Sequence, residues 1–363
     1  MSKANDNYIR VGEEDLKTAI AAILKRNGVP SDQAAIVGDV LVAAELRGIE
    51  THGVGRLKSY YIWRLQNGYM NPEPKLQVER NYGATFVLDA DNGLGHPACH
   101  AAMKRCIELA EQYGVGMGGV KNSNHYGIAG YYSMMALEKN MIGVCLTNAQ
   151  PLIIPTYSKR RLLGSNPISI AVPAGKEPAF VLDMATSVVP YGEIQVHKRK
   201  KMAIPQNWGA DSRGKPTTDP SAVINGGGLL PLGGSAADAG YKGYGLSAAV
   251  DILSGVLTGA SFLSSALSSQ ESADPCGIGH FVAAVKTEAF IDPDEFKTRM
   301  DSFIKELKSA PLADDCERIY VAGEKEFMQW EENRKNGVPV HETVWEELIE
   351  MCHENDVNPP VVL

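Results

Sequence analysis

Gly114-Val115-Gly116-Met117-Gly118-Gly119 matches the G-x-G-x-x-G spelling of a dinucleotide-binding turn, and its context decides the fold. A Rossmann fingerprint runs strand, glycines, helix, so that the helix N-terminus faces a pyrophosphate. Here the order is reversed. Pro97 to Tyr113 carries a helical pattern with proline in its first turn, and Val115 to Lys121 reads as a strand. The glycines are therefore a helix stop running into a crowded strand. If this chain holds a dinucleotide, it does so without that motif.

The strand leads into Lys121-Asn122-Ser123-Asn124-His125-Tyr126-Gly127-Ile128-Ala129-Gly130, and a helix follows that ends near Asn140. Strand ends and helix starts carry free backbone N–H groups, and α/β enzymes place their chemistry there. Further strands are predicted at Ala84 to Asp89, Met141 to Thr147, Ile168 to Val172, Phe180 to Met184 and Phe281 to Lys286. Residues 195–220 hold no long apolar run and suggest a hairpin or long loop. Residues 225–245 are rich in Gly, Ala and Ser and are expected to be mobile. Leu246 to Leu267 contains Asp251 and many small residues, so it reads as a buried, closely packed helix and not as a membrane span.

On the N-terminal side the period is helical. Leu16, Ile20, Ile23 and Leu24 share one face, with Gly28 as the stop. Ser31 is a good cap for a second helix carrying Val37, Val40, Leu41 and Ala44, and a third run spans Arg56 to Leu65. Asn71-Pro72-Glu73-Pro74 is a natural boundary. Near the other end, Asp292-Pro293-Asp294-Glu295 opens a helix with Phe296, Met300, Phe303, Ile304 and Leu307 on its apolar side, and two more helices lie near 324–335 and 342–353. The expected organisation is a discontinuous helical domain of residues 1–74 with 292–363, around a sheet domain of residues 75–291.

The chain has 363 residues, 44% hydrophobic and 21% charged, ordinary values for a soluble globular protein. A net charge of −8 argues against broad nucleic-acid or anionic-membrane binding. Six scattered cysteines with no Cys-x-x-Cys pair favour reduced thiols in a cytosol-like compartment over disulfides or a zinc site. The polar stretch Met1 to Arg10 has no signal-peptide pattern, so a cytoplasmic location is expected.

Several constellations carry chemistry, each with a plainer alternative. In Thr51-His52-Gly53-Val54-Gly55-Arg56, an i,i+4 spacing on a helix points His52 and Arg56 the same way. An imidazole titrating near neutrality beside a guanidinium that grips carboxylates suits a 2-hydroxy or 2-oxo acid. The commoner use of such a pair is structural: a helix-capping histidine and an arginine on a surface acid. His125 is either a reactive imidazole or a turn histidine bonded to backbone. Lys121 is either solvated or a support for a carboxylate or oxyanion. Asp183 interrupts an apolar strand and needs a partner, of which a histidine is the obvious one; its alternative is to tie down the Thr186-Ser187 turn. Gly240-Tyr241-Lys242-Gly243-Tyr244-Gly245 precedes a helix, so it is either a phosphate approach with Lys242 adding charge or a flexible linker. His197-Lys198-Arg199-Lys200-Lys201 can meet the 2′-phosphate of NADP, though charge runs are usually solvated edges.

Taken together, Arg47 to Gly53, Ser123 to Gly127, Leu163-Gly164-Ser165-Asn166-Pro167, Asp183 to Ser187, Pro216 to Pro220 and Gly240 to Leu246 resemble, in the same order, the malate/L-lactate dehydrogenase family of the non-Rossmann type. Its members include malate, sulfolactate and ureidoglycolate dehydrogenases, diketogulonate reductase and a cyclic imine reductase. The resemblance implies an α/β fold: an NAD(P)-binding domain on a mixed, largely antiparallel sheet flanked by helices, plus a helical domain from both chain ends. It implies a homodimer with sites near the subunit interface. It implies His52 or His125 as the proton carrier, Arg56 and Tyr60 at the substrate, and Asp183 near the cofactor, orienting a histidine. Lys121 is read as a further substrate contact. Cofactor contacts map to Asn148, to Phe180, Val181, Leu182, Asp183, Met184 and Ala185, to Tyr241 and Lys242, and to Gly323, Glu324 and Lys325. Thr51 departs from the usual serine but keeps a hydroxyl. The expected activity is hydride transfer between NAD or NADP and a small 2-hydroxy or 2-oxo acid, with malate/oxaloacetate first. Lactate, sulfolactate, ureidoglycolate, keto-sugar acids and cyclic imino acids are alternatives. A catalytically inactive dinucleotide-binding dimer is the outside alternative, and the joint presence of His52, Arg56, His125 and Asp183 argues against it.

Overall fold

The computed structural model describes residues 7–266 and 275–363; Met1 to Asp6 and Leu267 of the stretches read above lie outside them. Strand β1 (Tyr8–Val11) comes first. Helix α1 (Glu13–Arg26) buries Leu16, Ala19, Ile20, Ile23 and Leu24, with acids in its first turn and bases in its last, as the helix dipole favours. Helix α2 (Ser31–Leu46) packs on it and is buried on most sides. Ser31 is its first helical residue and not its cap; Pro30 takes that position.

The third helical run is not one helix. Glu50–His52 is a single 3-10 turn, Leu57–Ile62 is π-helical, and only α3 (Trp63–Gln66) is α. Glu45 causes the break. Its carboxylate accepts the Val54 N–H at 2.7 Å and occupies the space a Cβ at Gly53 would need. His52 and Arg56 therefore do not share a helix, contrary to the i,i+4 expectation.

The sheet contains β2 (Gln77–Tyr82), β3 (Thr85–Asp89), β4 (Val115–Ser123), β5 (Met141–Thr147), β6 (Ile168–Val172), β7 (Phe180–Met184) and, from much later in the chain, β11 (Ile278–Lys286). Their order is β2-β3-β4-β11-β5-β6-β7. Only β3 and β4 run parallel, joined by the crossover helix α4 (Gly95–Tyr113); every other pairing is antiparallel. This is the mixed, largely antiparallel sheet that the resemblance implies. The rejected glycine motif sits where its context placed it. Gly114 ends α4 at φ 81°, and a Cβ at Gly116 would overlap the Cys106 carbonyl, so these glycines let α4 lie close on β4. Helix α5 (Ala129–Met135) covers β5 and β6.

A small three-stranded sheet, β8 (Gly209–Ala210), β9 (Pro216–Thr217) and β10 (Gly228–Leu229), packs with α6 (Tyr191–Arg199) and α7 (Pro220–Ile224) around Ile153, Leu163, Ile194, Ile204, Val223 and Leu229. The expected hairpin is β8–β9. Helix α6 was not expected, because Ile194 is its one buried residue and leaves no apolar period to read. Residues 225–245, expected to be mobile, instead hold β10 and hydrogen-bonded turns, with Leu232 N–H donating to Thr186 O at 2.8 Å. Helix α8 (Tyr241–Asp251) continues into a π-helical segment, Ile252–Val256. Its small and polar residues face inward, while Ile252, Val256 and Leu257 are 55, 54 and 62% exposed. The expectation of a fully buried helix is corrected: only one side is covered.

After β11 come α9 (Pro293–Ser309), α10 (Glu324–Asn336), β12 (Val338–His341) and α11 (Glu342–Glu354). Strand β12 pairs with β1, and Val338, Val340, Leu348 and Met351 join the core of α1 and α2. Helix α9 is held elsewhere. Asp301 accepts the backbone N–H groups of Gly175, Lys176 and Glu177, which precede β7. Of its predicted apolar side only Ile304 is buried; Phe303 and Leu307 are exposed. Among the described residues, no helix is long and apolar enough to cross a membrane.

Candidate active site

Strand β4 ends in a loop that is tied down on both sides. The buried Asn124 amide donates to Asn92 O, Asn92 Oδ1 and Gly93 O, at 3.1, 3.1 and 2.8 Å. Gly127 has φ 80°, and a Cβ there would stand 2.6 Å from Val40. Between these anchors stands His125, and the short helical turn Glu50–His52 brings His52 against it. The two imidazoles stack with centroids 5.4 Å apart and planes 24° apart. The two histidines that the sequence separates by a whole lobe are neighbours.

Other groups complete the site. Thr51 Oγ1 lies 2.9 Å from His52 Nδ1, and Arg56 donates through Nε to Thr51 O at 2.8 Å. Arg56 has no carboxylate partner among the described residues, which disposes of the surface-acid alternative. Helix α6 begins alongside, where a Cβ at Gly192 would lie 3.8 Å from the Thr51 methyl. The Tyr60 ring stands edge-on to His125 at 5.6 Å, with its hydroxyl 3.4 Å from Cys276 Sγ. Tyr61, which sequence reading missed, puts its hydroxyl 2.6 Å from His125 Nδ1. A tyrosine pair after a histidine is too common a pattern to signal this; the π-helical turn of Leu57–Ile62 aims it.

Two further histidines escaped notice because they sit in apolar runs. His280 on β11 bonds Thr147 Oγ1 and Ser123 Oγ, each at 2.8 Å, and stacks on Tyr126. His96 at the start of α4 packs against Tyr61, with ring centroids 4.8 Å apart. Burial pushes both imidazoles down to about 3. Burial first, then the Arg56 charge, lowers His52 to about 4. His125 is held well below the usual histidine range by burial, then by His52 and Arg56. All four are neutral at neutral pH, and an anion on Arg56 opposes that depression.

Asp183 does not orient a histidine. Its carboxylate accepts the Gly130 N–H at 2.7 Å and faces Arg47, so it anchors the start of α5. Thr186 bonds Ser165 O instead, so Asp183 does not tie that turn either. Surrounded by protein though reachable by solvent, its carboxyl is pushed up to about 6 by desolvation, against the pull of Gly130 and Arg47. Lys121 is also corrected. Its ammonium pairs with Glu79 on β2 at 2.8 Å and Asp89 on β3 at 3.6 Å, and not with the two histidines.

A cleft of about 300 Å³ brings the Asp183 strand together with the loop of residues 320–326. Val181, Leu182, Asp183, Gly323 and Lys325 line it, with Arg47 and Glu326. Val181 N–H donates to Ala322 O at 3.0 Å, and Gly323 at φ 88° leaves no room for a Cβ, which would meet Val181 at 2.8 Å. Apolar walls with charged groups at the rim fit one nucleoside part of a dinucleotide. Phe180, Met184 and Ala185 neighbour that wall without lining the cleft. Glu324 turns away, bonding Val321 N–H and pairing with Lys308 and Arg318. Asn148 is a structural pin between Asp251, Ser261 and Gly279. Tyr241 and Lys242 lie exposed at the start of α8, and the basic run ends α6; neither lines the cleft. A wider groove of about 730 Å³, between α1 and the C-terminal tail, holds no candidate residue.

A mixed sheet and paired imidazoles beside a guanidinium with no carboxylate partner among the described residues, with a cleft of about 300 Å³ at the Asp183 strand, fit an oxidoreductase acting on small carboxylates. Residues 11–349 match the malate/L-lactate dehydrogenase family model. A malate dehydrogenase of Pyrococcus abyssi is 43% identical over 96% of this chain and 95% of its own length. An L-sulfolactate dehydrogenase of Methanocaldococcus jannaschii is 38% identical over 95% and 97%. The solved structure of malate dehydrogenase from Pyrococcus horikoshii superposes with a TM-score of 0.90 at 41% identity, covering 99% of both chains. This chain belongs to the malate/L-lactate dehydrogenase family, whose members are oxidoreductases acting on hydroxy acids.

Proposed function

We propose that this enzyme interconverts malate and oxaloacetate with a nicotinamide cofactor. The single observation that carries the site is the His52–His125 stack with Arg56 beside it, held to Thr51 O and without a carboxylate partner among the described residues. Arg56 holds a substrate carboxylate as a bidentate pair, which brings the C2 oxygen to the edges of the two imidazoles. Tyr60 walls the pocket. A bound nicotinamide supplies or accepts the hydride at C2. One histidine exchanges the hydroxyl proton, and a neutral imidazole is suited to receive it during oxidation. Val181, Leu182, Asp183, Gly323 and Lys325 are the residues we assign to the cofactor.

Malate is preferred because the relative named for it shares more identity with this chain than the relative named for sulfolactate. The two substrates differ in one acid group, a carboxylate against a sulfonate. Steady-state kinetics with oxaloacetate, pyruvate, sulfopyruvate and a cyclic imine, each with NADH and NADPH, test this. Oxaloacetate should have the highest kcat/KM by at least about tenfold, the size of one modest pocket contact. A higher value for sulfopyruvate overturns the malate assignment, and no turnover on any of them supports the inactive dimer. The two coenzymes also decide between NAD and NADP. A homodimer is proposed from the exposed apolar side of α8 and residues 252–257. A reducing, cytosolic setting is proposed from the six free cysteines, five of them buried.

A further inference from the structure

We propose that Tyr61 and the Gly127 amide lock His125 as its neutral Nε2–H tautomer, so that His125 donates a hydrogen bond to the substrate's C2 oxygen while His52 carries the proton. The division of labour rests on the hydroxy-acid reading above; the tautomer does not.

Gly127 N–H, which can only donate, is directed at His125 Nδ1 at 3.3 Å. That nitrogen therefore offers a lone pair. The Tyr61 hydroxyl, 2.6 Å from the same atom, must then donate as well. A neutral imidazole has one N–H, and with Nδ1 bare it resides on Nε2. A second proton at Nδ1 would face the Gly127 N–H. Tyr61 can rotate and accept, but the Gly127 N–H can only donate, and Gly127 sits at a left-handed φ of 80° with Val40 packed where a Cβ would stand. The groups around His125 also oppose a cation. They are His52, Arg56, His96, His280, Tyr60 and Tyr61, none of them anionic at neutral pH. The nearby carboxylate, Asp183, bonds Gly130 instead.

His52 is not restricted in this way. Its Nδ1 partner is the Thr51 hydroxyl, which donates or accepts as it turns, so His52 is free to adopt either tautomer or the cation. In oxidation, a bound nicotinamide would accept the C2 hydrogen as hydride. The hydroxyl proton passes to His52 and the C2–O bond becomes a carbonyl. His125 Nε2–H bonds that oxygen throughout and exchanges no proton. Tyr61 is a positioning residue acting through His125.

Imidazole 15N NMR of the intact protein at neutral pH tests the tautomer directly, with His125 assigned by its loss in His125→Gln. We expect a bare Nδ1 and a protonated Nε2, and we expect Tyr61→Phe to admit some Nδ1–H form. A protonated Nδ1 on His125 in the parent protein overturns the proposal whatever the substrate proves to be. Kinetics test the roles. A glutamine at 125 keeps an N–H donor, so His125→Gln should retain activity within about tenfold of the parent while His125→Ala loses about 10²-fold or more. His52→Gln should lose about 10²-fold or more. A mild His52→Gln together with a His125→Gln as damaging as His125→Ala reverses the assignment.

Discussion

At the scale of single residues, the site is an accumulation of histidines that burial keeps neutral. His96 and His280 are fully buried, and their imidazoles are depressed to about 3. In the unfolded chain they titrate near 6.5. Because the folded value is lowered, the unfolded chain binds more protons below pH 6.5, and the folded state loses stability as pH falls from there toward 3. Each such histidine contributes about 1.4 kcal/mol per pH unit over that window. Asp183 has the opposite sign: its raised carboxyl favours the folded state most below pH 4 and loses that contribution as pH rises through about 6. The net expectation is a steep loss of melting temperature between pH 6 and 4, set by the histidines. His280→Gln, which keeps side-chain hydrogen-bonding groups but cannot charge, should lower stability at pH 7 and flatten that acid slope. Urea melts at half-unit pH steps read both, and an unchanged slope in the variant refutes this account.

At the scale of elements, α4 lies so close on β4 that Gly116 leaves no room for a Cβ. Gly116→Ala would drive a methyl into the Cys106 carbonyl, a backbone atom that no rotamer change can move. We expect a loss on the order of 1–3 kcal/mol in chemical denaturation, with an unchanged m-value; a variant as stable as the parent would mean that α4 stands farther off the strand. This packing also explains what the sequence disclosed. The α1 face, the β4 strand and the reversed order around the glycines were readable because each repeats a period or ends on a residue with one conformational use. Helix α6 was not readable, since one buried isoleucine makes no period. The π-helical turn that aims Tyr61 was not readable either, because Glu45 creates it from a distance. His52, Arg56 and His125 were legible as types, and a family resemblance joined them. The partners of Asp183 and Lys121 were not, because strand register decides whom a charged side chain meets: Lys121 stands opposite Asp89 in the β3–β4 pairing, and Asp183 opposite Ser169 in the β6–β7 pairing.

At the scale of the whole molecule, that late strand makes the sheet depend on residues more than 130 positions apart, since His280 pairs opposite Thr147 in the register of β11 on β5. The segment just before β11 carries the uncovered apolar side, so the sheet's central strand and the exposed face belong to one stretch of chain. Ile252, Val256, Leu257 and Phe262 are 55, 54, 62 and 47% exposed, a cluster that a lone soluble chain rarely leaves open. The opposite side of the same segment is pinned by Asn148, whose amide donates to Asp251 at 2.9 Å and to Ser261 O at 2.7 Å, so the face is rigid and ready to be covered. A second copy of the chain is the simplest occupant, because a two-fold axis sets this apolar patch against the same patch of its partner. Sedimentation should therefore find a dimer at micromolar concentration. Ile252→Lys with Leu257→Lys should convert it to a monomer that keeps its far-ultraviolet dichroism, since both side chains face away from the sheet. A parent protein that sediments as a monomer, or a double variant that remains dimeric, would show that the contact lies on another face.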